Sequence, residues 1–192
     1  MALAPWRAPL ARALHRNRSR PDSRYLQLAT MDRDGYPANR TVVFRGFFES
    51  GDRPMLVSDT RSAKIEQIQA NPAAEVCWYF AKTREQFRLR GELTVVTAET
   101  EPAELRLTRE QLWHNLSDAA RQQFTWPSPG QPRQEQGFAI APPNSTQPPP
   151  HFCLILLEPN RVDYLALRGE PQDRIIYTRQ GQDPWQAQGV NP

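Results

Sequence analysis

Alternating apolar and polar residues divide the first half of the chain into predicted β-strands. Residues 24–31 alternate in this way, the segment DRDGYP supplies a turn, and residues 38–48 resume the β-rich pattern, so we predict a hairpin. Residues 74–81 and 86–97 predict a second antiparallel pair. The alternation slips near Gly91, which is typical of a β-bulge.

Helical spacing separates these strands. A short strand over 54–58 leads into a predicted helix over 59–70, which the dipeptide N-P ends. A further helix is expected from Thr100, as its N-cap, and a shorter one from Ser117. Three later runs, 152–157, 161–166 and 174–179, complete the predicted strands.

Many antiparallel strands with a few short helices between them favour a barrel over a doubly wound sheet. We therefore expect a mainly β fold with short helices (α+β) and six or more antiparallel strands. Residues 2–14 form an amphipathic segment that predicts a docking helix. Its apolar face carries Trp6, Leu10 and Leu14.

Length and proline content limit the organisation of the chain. Its 192 residues suit one domain over 1–192. Nineteen prolines outnumber nine glycines, and the hydrophobic share of 39% is below the usual range. The prolines are concentrated at about 125–150, where we expect a long, partly extended loop that packs on a surface or on a partner subunit.

Charge is unevenly distributed. The formal net charge is +3, yet the first 45 residues hold nine arginines against three aspartates. Such a basic segment suits nucleic acid, an acidic membrane surface or a phosphorylated small ligand. No run of 18 apolar residues occurs, so we expect a cytoplasmic protein, with a plant transit peptide as the alternative reading of the arginine-rich start.

Cysteine and histidine spacing predicts neither a metal site nor a catalytic triad. Cys77 and Cys153 lie far apart in apolar runs, which favours free thiols in a reducing compartment. His15, His114 and His151 are isolated from any partner motif. No glycine-rich loop for a triphosphate or a dinucleotide is present.

The segment SDTRSAK at 58–64 has the chemistry of an anion site. Ser58, Asp59 and Thr60 are candidate caps for the following helix, whose first amides attract an anion. Ser62 adds a hydroxyl and Lys64 adds a charge on the first turn. The alternative is an ordinary capped surface helix with a solvated lysine.

Two arginines flank the apolar centre of RTVVFRG at 40–46. Arg40 and Arg45 are five positions apart, so a continuous strand would place them on opposite faces and turn one of them toward the core. A buried guanidinium requires an anion, and a phosphate monoester matches its planar fork. The alternative is a surface salt bridge to Asp32, Asp34 or Glu92.

Gln86 opens a third segment, QFRLRG at 86–91, beside an aromatic run in the preceding strand. Its amide has both donors and acceptors, which suits the edge of a flavin ring. The alternative is an exposed turn glutamine.

The order and spacing of these three segments along the chain resemble those of the pyridoxamine 5′-phosphate oxidase family of FMN-binding split barrels. The resemblance also includes N-P at 71–72, Trp78 and the ending DRIIYTRQGQDPWQAQGVNP, where Gly189 and Val190 replace the usual R-L. The proline-rich stretches look like a divergent branch found in cyanobacteria and plants.

The resemblance implies a homodimer with two FMN molecules at the subunit interface and a small-molecule substrate, without nucleic acid or membrane as a partner. It implies that Arg40 and Lys64 bind the FMN phosphate with Ser62 and Ser58. The other implied flavin ligands are Thr41, Val42 and Val43 along the ring, Gln86 at its pyrimidine edge, and Arg174. Arg45 stands at the position where the family has a lysine that binds the substrate phosphate.

Several positions depart from the family pattern. Pro171, Gln172 and Asp173 stand where true oxidases carry an R-x-H substrate pair, and Leu165 stands for a flavin-contacting tryptophan. Arg121 lies in about the stretch of another substrate residue. The resemblance therefore supports FMN binding more firmly than oxidation of vitamin B6 phosphates.

Three hypotheses follow. The leading one is a flavoprotein oxidoreductase in which FMN accepts a hydride from a small reduced substrate. The second is a protein that binds FMN, or another phosphate-bearing cofactor, without turnover. The third is a nucleic-acid binder that uses the basic first quarter of the chain.

Overall fold

In the described part of the chain, nine strands form one sheet. A computed structural model describes residues 3–138 and 140–192, so residue 2 of the predicted docking helix and Ala139 of the predicted loop lie outside the described residues. The strands are β1 (Tyr25–Met31), β2 (Pro37–Val43), β3 (Gly46–Phe47), β4 (Pro54–Asp59), β5 (Ala73–Phe80), β6 (Glu85–Val96), β7 (Phe152–Ala166), β8 (Asp173–Thr178) and β9 (Gln186–Val190).

Short helices connect or cover the strands. No described helix is long and apolar enough to cross a membrane. The α-helices are α1 (Arg7–Asn17), α2 (Ala63–Ala70), α3 (Ala103–His114) and α4 (Asp118–Gln122), and single 3₁₀ turns span Pro21–Arg24, Phe48–Ser50 and Gln123–Thr125.

The sheet splits along its longest strand. All neighbouring strands are antiparallel, in the order β2-β1-β5-β6-β7-β4-β3, with β8 and β9 continuing from β7. One edge of β7 pairs with β6, whereas its other edge pairs first with β4 and then with β8. This confirms the predicted class, a mainly antiparallel β-fold with short helices.

The predicted hairpin is confirmed as β1 and β2. Asp32 Oδ1 accepts the amides of Asp34 and Tyr36 in the turn, at 3.0 and 2.7 Å. Gly35 takes φ +83°, a conformation that glycine adopts without strain.

The prediction of one continuous strand over 38–48 is wrong. The amide of Phe44 donates to the carbonyl of Arg24 beside β1, at 2.8 Å, whereas that of Arg45 donates to Met55 on β4, also at 2.8 Å. The chain therefore changes its pairing partner between Phe44 and Arg45, and Phe44 is buried at the bend.

Two predicted helix starts are also wrong. Asp59 ends β4 and residues 60–62 form a turn, so α2 begins at Ala63. The helix predicted from Thr100 begins at Ala103, since the Thr100 hydroxyl accepts the amide of Thr97 instead, at 2.9 Å. The shorter helix expected from Ser117 is confirmed as α4, and Ser117 is its N-cap residue, whose side chain accepts the amide of Ala120.

At the carboxyl end, the predicted strands 152–157 and 161–166 are one strand, β7, which pairs with β6 throughout. The apolar pattern did not predict β9.

The sheet interior forms the main core. Trp78, Phe87 and Tyr164 are cross-strand neighbours on β5, β6 and β7, and all three are buried. Helix α1 and its N-cap residue Trp6 cover this core, with Trp6 and Leu10 fully buried. The docking helix is therefore confirmed, but it spans 7–17 and not 2–14. A second cluster surrounds Trp113 of α3 and the start of β7; its buried members include Phe48, Leu116, Phe152 and Leu154.

The proline-rich segment packs on its own chain. Residues 126–138 and 140–151 contain no helix or strand, as predicted. The Trp113 indole donates to Asn144 O at 2.9 Å, and Arg109 Nη2 donates to Pro149 O at 2.9 Å, so α3 holds the loop. That 1–192 is one domain stays a prediction.

The bulge at Gly91 is confirmed by a register shift between Arg90 and Gly91. A Cβ atom at residue 91 would lie 2.0 Å from the Glu158 carbonyl oxygen of β7. Only glycine permits this approach of two backbones.

We predict that Gly91→Ala lowers the free energy of unfolding by about 1–3 kcal/mol, because β7 must move to relieve the clash. The matched control is Gly189→Ala, where an added Cβ meets nothing within 4 Å. Urea unfolding of both variants measures the effect. Equal stability of the two variants would contradict the close approach.

Candidate functional site

A cavity of about 390 Å³ opens where β2, β4 and α2 meet the segment that follows α4. Its volume is within the range of small-molecule sites. Of the predicted site residues, it is lined by Arg40, Thr41, Val42, Val43, Arg45, Ser58 and Lys64.

Lys64 lies at the start of α2, with its ammonium held by hydroxyl groups. Its Nζ donates to Ser58 Oγ at 3.0 Å and to Ser62 Oγ at 3.1 Å. Burial, together with the charge of Arg40, lowers the pKa of Lys64 below its ordinary value of 10.5. The helix is not capped in the predicted way, because Ser62 is the N-cap residue and makes no side-chain capping bond.

Arg40 extends from β2 toward α2. Its Nη1 donates to Thr30 Oγ1 at 2.6 Å, and its Nη2 donates to Gln67 Oε1 at 2.8 Å. These acceptors are neutral, and burial lowers the pKa of the Arg40 guanidinium. Among the described residues, none of the acidic partners weighed above, Asp32, Asp34 or Glu92, forms a salt bridge with Arg40 or Arg45.

Arg45 lines the same cavity as Arg40, so the prediction of opposite faces is wrong. The change of pairing partner after Phe44 interrupts the alternation on which that prediction relied. The buried Nε of Arg45 has no hydrogen-bond partner in the described part of the chain. Burial and the charge of Arg24 lower the pKa of the Arg45 guanidinium.

The one carboxylate of the lining, Asp59, is already paired. Arg61 donates to it through Nε at 2.9 Å and through Nη2 at 2.6 Å. Arg40, Arg45 and Lys64 therefore give the cavity a positive field without an available acid. A guanidinium, an ammonium and the Ser58 hydroxyl form a donor set that fits a phosphate dianion. Ser62 does not line the cavity, and its hydroxyl donates to the Asp59 carbonyl at 2.8 Å.

Gln86 and Arg174 lie elsewhere in this chain. Gln86, Leu165 and Arg174 are cross-strand neighbours on β6, β7 and β8, on the face opposite the barrel core. None of the three lines the cavity. The structure therefore separates the predicted ligand residues into two groups.

An ion-pair network supports this second group. Arg174 donates to buried Asp163 through Nε at 3.0 Å and through Nη2 at 2.8 Å, and Arg88 donates to the same carboxylate. Burial opposes ionisation of Asp163, but the hydrogen bonds from Arg174 and Arg88 outweigh it and lower the pKa of its carboxyl group. Arg174 is thereby oriented on the sheet.

Arg121 is placed for stability and not for ligand binding. It is buried, donates to the carbonyls of Trp113, His114 and Leu116, and pairs with Asp118. Its guanidinium thus caps the carbonyl groups at the carboxyl end of α3.

Sequence reasoning missed the lining that comes from α4 and the following turn. These residues lay in or before the predicted loop and had no assigned role. Two large aromatic side chains in a polar, proline-rich stretch were the available signal. The missed lining residues are Leu116, Ala120, Gln123, Phe124, Trp126 and Pro129.

This chain is similar to several known proteins. A family model described as pyridoxamine 5′-phosphate oxidase, FMN-binding domain, matches residues 3–97. Pyridoxine/pyridoxamine 5′-phosphate oxidase 2 of Arabidopsis thaliana is 40% identical over 199 residues, which cover 99% of this chain and 98% of that protein.

Solved structures extend the agreement to the whole fold. A pyridoxamine 5′-phosphate oxidase-related, FMN binding protein from Nostoc punctiforme PCC 73102 is 52% identical, with a TM-score of 0.96 and 100% of both chains covered. PhzG from Burkholderia lata 383 is 20% identical, with a TM-score of 0.78, 100% of this chain covered and 94% of that chain. The second likeness concerns the fold alone.

We predict that inorganic phosphate raises the melting temperature of the wild-type protein, by roughly 2–4 °C per kcal/mol of binding free energy. Lys64→Met should reduce this rise, while its melting temperature without phosphate stays equal or increases, since a buried charge is removed. Lys82→Met, at an exposed lysine, is the control.

The effect should also depend on pH. Because the pKa of Lys64 is lowered, its ammonium loses the proton, and with it the attraction for phosphate, at a pH below 10.5. The phosphate effect in the wild-type protein should therefore decline as the pH rises toward that value, and it should be flatter in Lys64→Met. Identical profiles would contradict the role of Lys64.

Proposed function

The chain belongs to the pyridoxamine 5′-phosphate oxidase family of FMN-binding proteins, and on this premise we propose that it is an FMN-dependent oxidoreductase acting on a small reduced substrate. The observation that carries the proposal is the convergence of Arg40 and Lys64 on one cavity without a carboxylate partner. Each cation is fixed by neutral acceptors and keeps its charge available.

We assign the FMN phosphate to Arg40, Lys64, Ser58 and Ser62. Thr30 and Gln67 orient the Arg40 guanidinium, and the two serine hydroxyls orient the ammonium of Lys64, so the donors are arranged before a ligand arrives. Bound FMN supplies redox chemistry that no side chain supplies. The protein contributes binding, orientation and a positive field.

The substrate is a separate question. The name of the Arabidopsis relative, at 40% identity, supports oxidoreductase chemistry and makes pyridoxine and pyridoxamine 5′-phosphates the first substrates to test. Pro171, Gln172 and Asp173, at the start of β8, replace the family's substrate pair. This supports the alternative of an FMN-binding protein without turnover.

We also propose that two copies of the chain share each FMN. Arg40, Ser58 and Lys64, which we assign to the FMN phosphate, line the cavity. Gln86 and Arg174 lie outside it, on another face of the sheet. One chain does not bring both groups to one cavity, so a second copy is needed to complete the site. Tyr79, the cross-strand neighbour of Gln86, is 45% exposed and offers apolar area to that copy.

The two cysteines indicate a cellular compartment. Cys77 and Cys153 are free thiols and fit a reducing compartment, so we propose the cytoplasm.

The basic first quarter is partly turned into the protein, since Arg40 and Arg45 face the cavity and Arg7 contacts Asp52. This placement removes three of the nine arginines from a nucleic-acid surface, and charge reversal of the exposed Arg12, Arg16, Arg18 and Arg20 tests the rest.

We predict that the purified protein is yellow and releases FMN on denaturation. Arg40→Met should weaken FMN binding roughly 10- to 100-fold, the loss of one charge-assisted contact or two. Arg16→Met, at an exposed arginine of α1, should leave affinity unchanged. Calorimetric titration of the apoprotein measures both.

Turnover distinguishes the two leading hypotheses. Steady oxidation of pyridoxine or pyridoxamine 5′-phosphate, or of a reduced nicotinamide, establishes an enzyme. A yellow protein that reduces its FMN with none of these supports the binding protein, and a protein that stays colourless with added FMN removes both hypotheses.

We predict that Tyr79→Glu shifts the protein from dimer to monomer, with at least a tenfold weaker association, because a carboxylate would be buried without a partner. FMN affinity should fall with it. Tyr36→Glu, in the exposed turn of the hairpin, is the control. Light scattering after gel filtration reports the mass, and an unaltered Tyr79→Glu dimer would place the interface elsewhere.

A further inference from the structure

Asp163 of β7 is a buried carboxylate on the face of the sheet that carries Gln86 and Arg174. It lies two residues before Leu165 on the same strand, so it occupies the neighbouring row of that face. Its side chain is only 6% exposed. A carboxylate removed from water in this way requires partners, and both partners of Asp163 are arginines.

Both carboxylate oxygens of Asp163 accept hydrogen bonds. Oδ1 accepts Arg174 Nε at 3.0 Å, and Oδ2 accepts Arg174 Nη2 at 2.8 Å and Arg88 Nη2 at 2.5 Å. The two parallel bonds fix the plane of the Arg174 guanidinium as well as its position. Because Arg88 lies on β6 and Arg174 on β8, Asp163 joins the side chains of three neighbouring strands.

The bonds to Asp163 leave most donors of Arg174 unused. A guanidinium has five N–H groups, and two of those of Arg174 point to Asp163. Within the described part of the chain, the Arg174 side chain has no other hydrogen-bond partner, and it is 31% exposed. The remaining N–H groups are therefore open to a group from outside this chain.

These open donors belong to a row of three side chains. Gln86, Leu165 and Arg174 are neighbours across β6, β7 and β8, with the leucine in the middle. Adjacent strands are about 5 Å apart, so the Cα atoms of Gln86 and Arg174 are separated by roughly 10 Å. A flat ring that lies on the leucine can receive hydrogen bonds from both sides of this row.

We propose that Asp163 is a positioning residue, which holds the Arg174 guanidinium at the pyrimidine edge of an FMN bound in the cavity of a second copy and thereby raises the reduction potential of the flavin. This inference rests on the proposed function and on the shared site. Reduced FMN carries more negative charge at that edge than oxidised FMN, so a fixed cation stabilises the reduced form more. An arginine that moves into solvent has a weaker effect, because water screens its charge.

The test removes Asp163 without changing the net charge of this face. The charge-neutral variant Arg88→Met/Asp163→Ala loses one cation and one anion together, so a shift of the flavin potential reports on Arg174. We expect FMN to bind roughly tenfold more weakly and the midpoint potential of the bound flavin to become more negative, since Arg174 loses both anchoring bonds. Calorimetric titration of the apoprotein measures the affinity, and spectroscopic redox titration against a reference dye measures the potential. Asp163→Ala alone is the second variant, with the same direction expected.

A mutant cycle shows whether Asp163 acts through Arg174. Arg174→Met alone should lower both the affinity and the potential. Added to the charge-neutral variant, it should lower neither any further, because Arg174 is already displaced there. The matched control is Glu158→Ala/Arg179→Met, which removes another arginine–carboxylate pair of β7, with an N–O distance of 2.5 Å, and should leave the potential unchanged.

Three results would overturn the proposal. The first is a potential that is unchanged or more positive in the charge-neutral variant, or in Asp163→Ala if that variant does not fold. The second is an equal fall of the potential with and without Arg174, and the third is an Arg174→Met variant with wild-type affinity and potential. In each case a yellow wild-type protein leaves the proposed function standing. A wild-type protein that does not bind FMN removes the proposed function, and this inference with it.

Discussion

Two cations held close together by neutral groups are the constraint on which this protein depends. Burial lowers the pKa of both Arg40 and Lys64, and the charge of Arg40 lowers the pKa of Lys64 further. No described carboxylate forms a salt bridge with either cation, because Asp59 is bound to Arg61, although its charge partly offsets the lowering of the Lys64 pKa. A dianion relieves this repulsion, so ligand binding and folding stability are coupled at this site.

The barrel supplies the rigidity that such an arrangement needs. Arg40 is oriented by Thr30 on the neighbouring strand and by Gln67 on α2, so three elements must keep their relative positions. The backbone of Ser58 is held by β7, because the Cys153 thiol donates a hydrogen bond to the Ser58 carbonyl at 3.3 Å. Burial raises the pKa of Cys153 to about 12, which keeps this thiol neutral beside a lysine.

The same sheet carries two faces with different tasks. Its interior packs aromatic rings against α1, and the neighbouring residues of β6, β7 and β8 present Gln86, Leu165 and Arg174 on the other side. The aromatic segment after α4 adds a third surface, close in space to β4 although Phe124 and Trp126 are more than sixty positions away in the chain. A single fold thus combines a cluster of cations with an aromatic lining in one cavity.

The sequence was enough to predict the class of fold, the hairpin, the bulge at Gly91 and the family, because alternation, glycine placement and short motifs are local properties. It also identified Arg40 and Lys64 by residue type. Tertiary structure alone decided that Arg45 shares their cavity, since a change of strand partner after Phe44 cannot be read from periodicity. It likewise decided that Arg121 is internal and that Trp126 faces the site, because these depend on contacts between segments far apart in the chain.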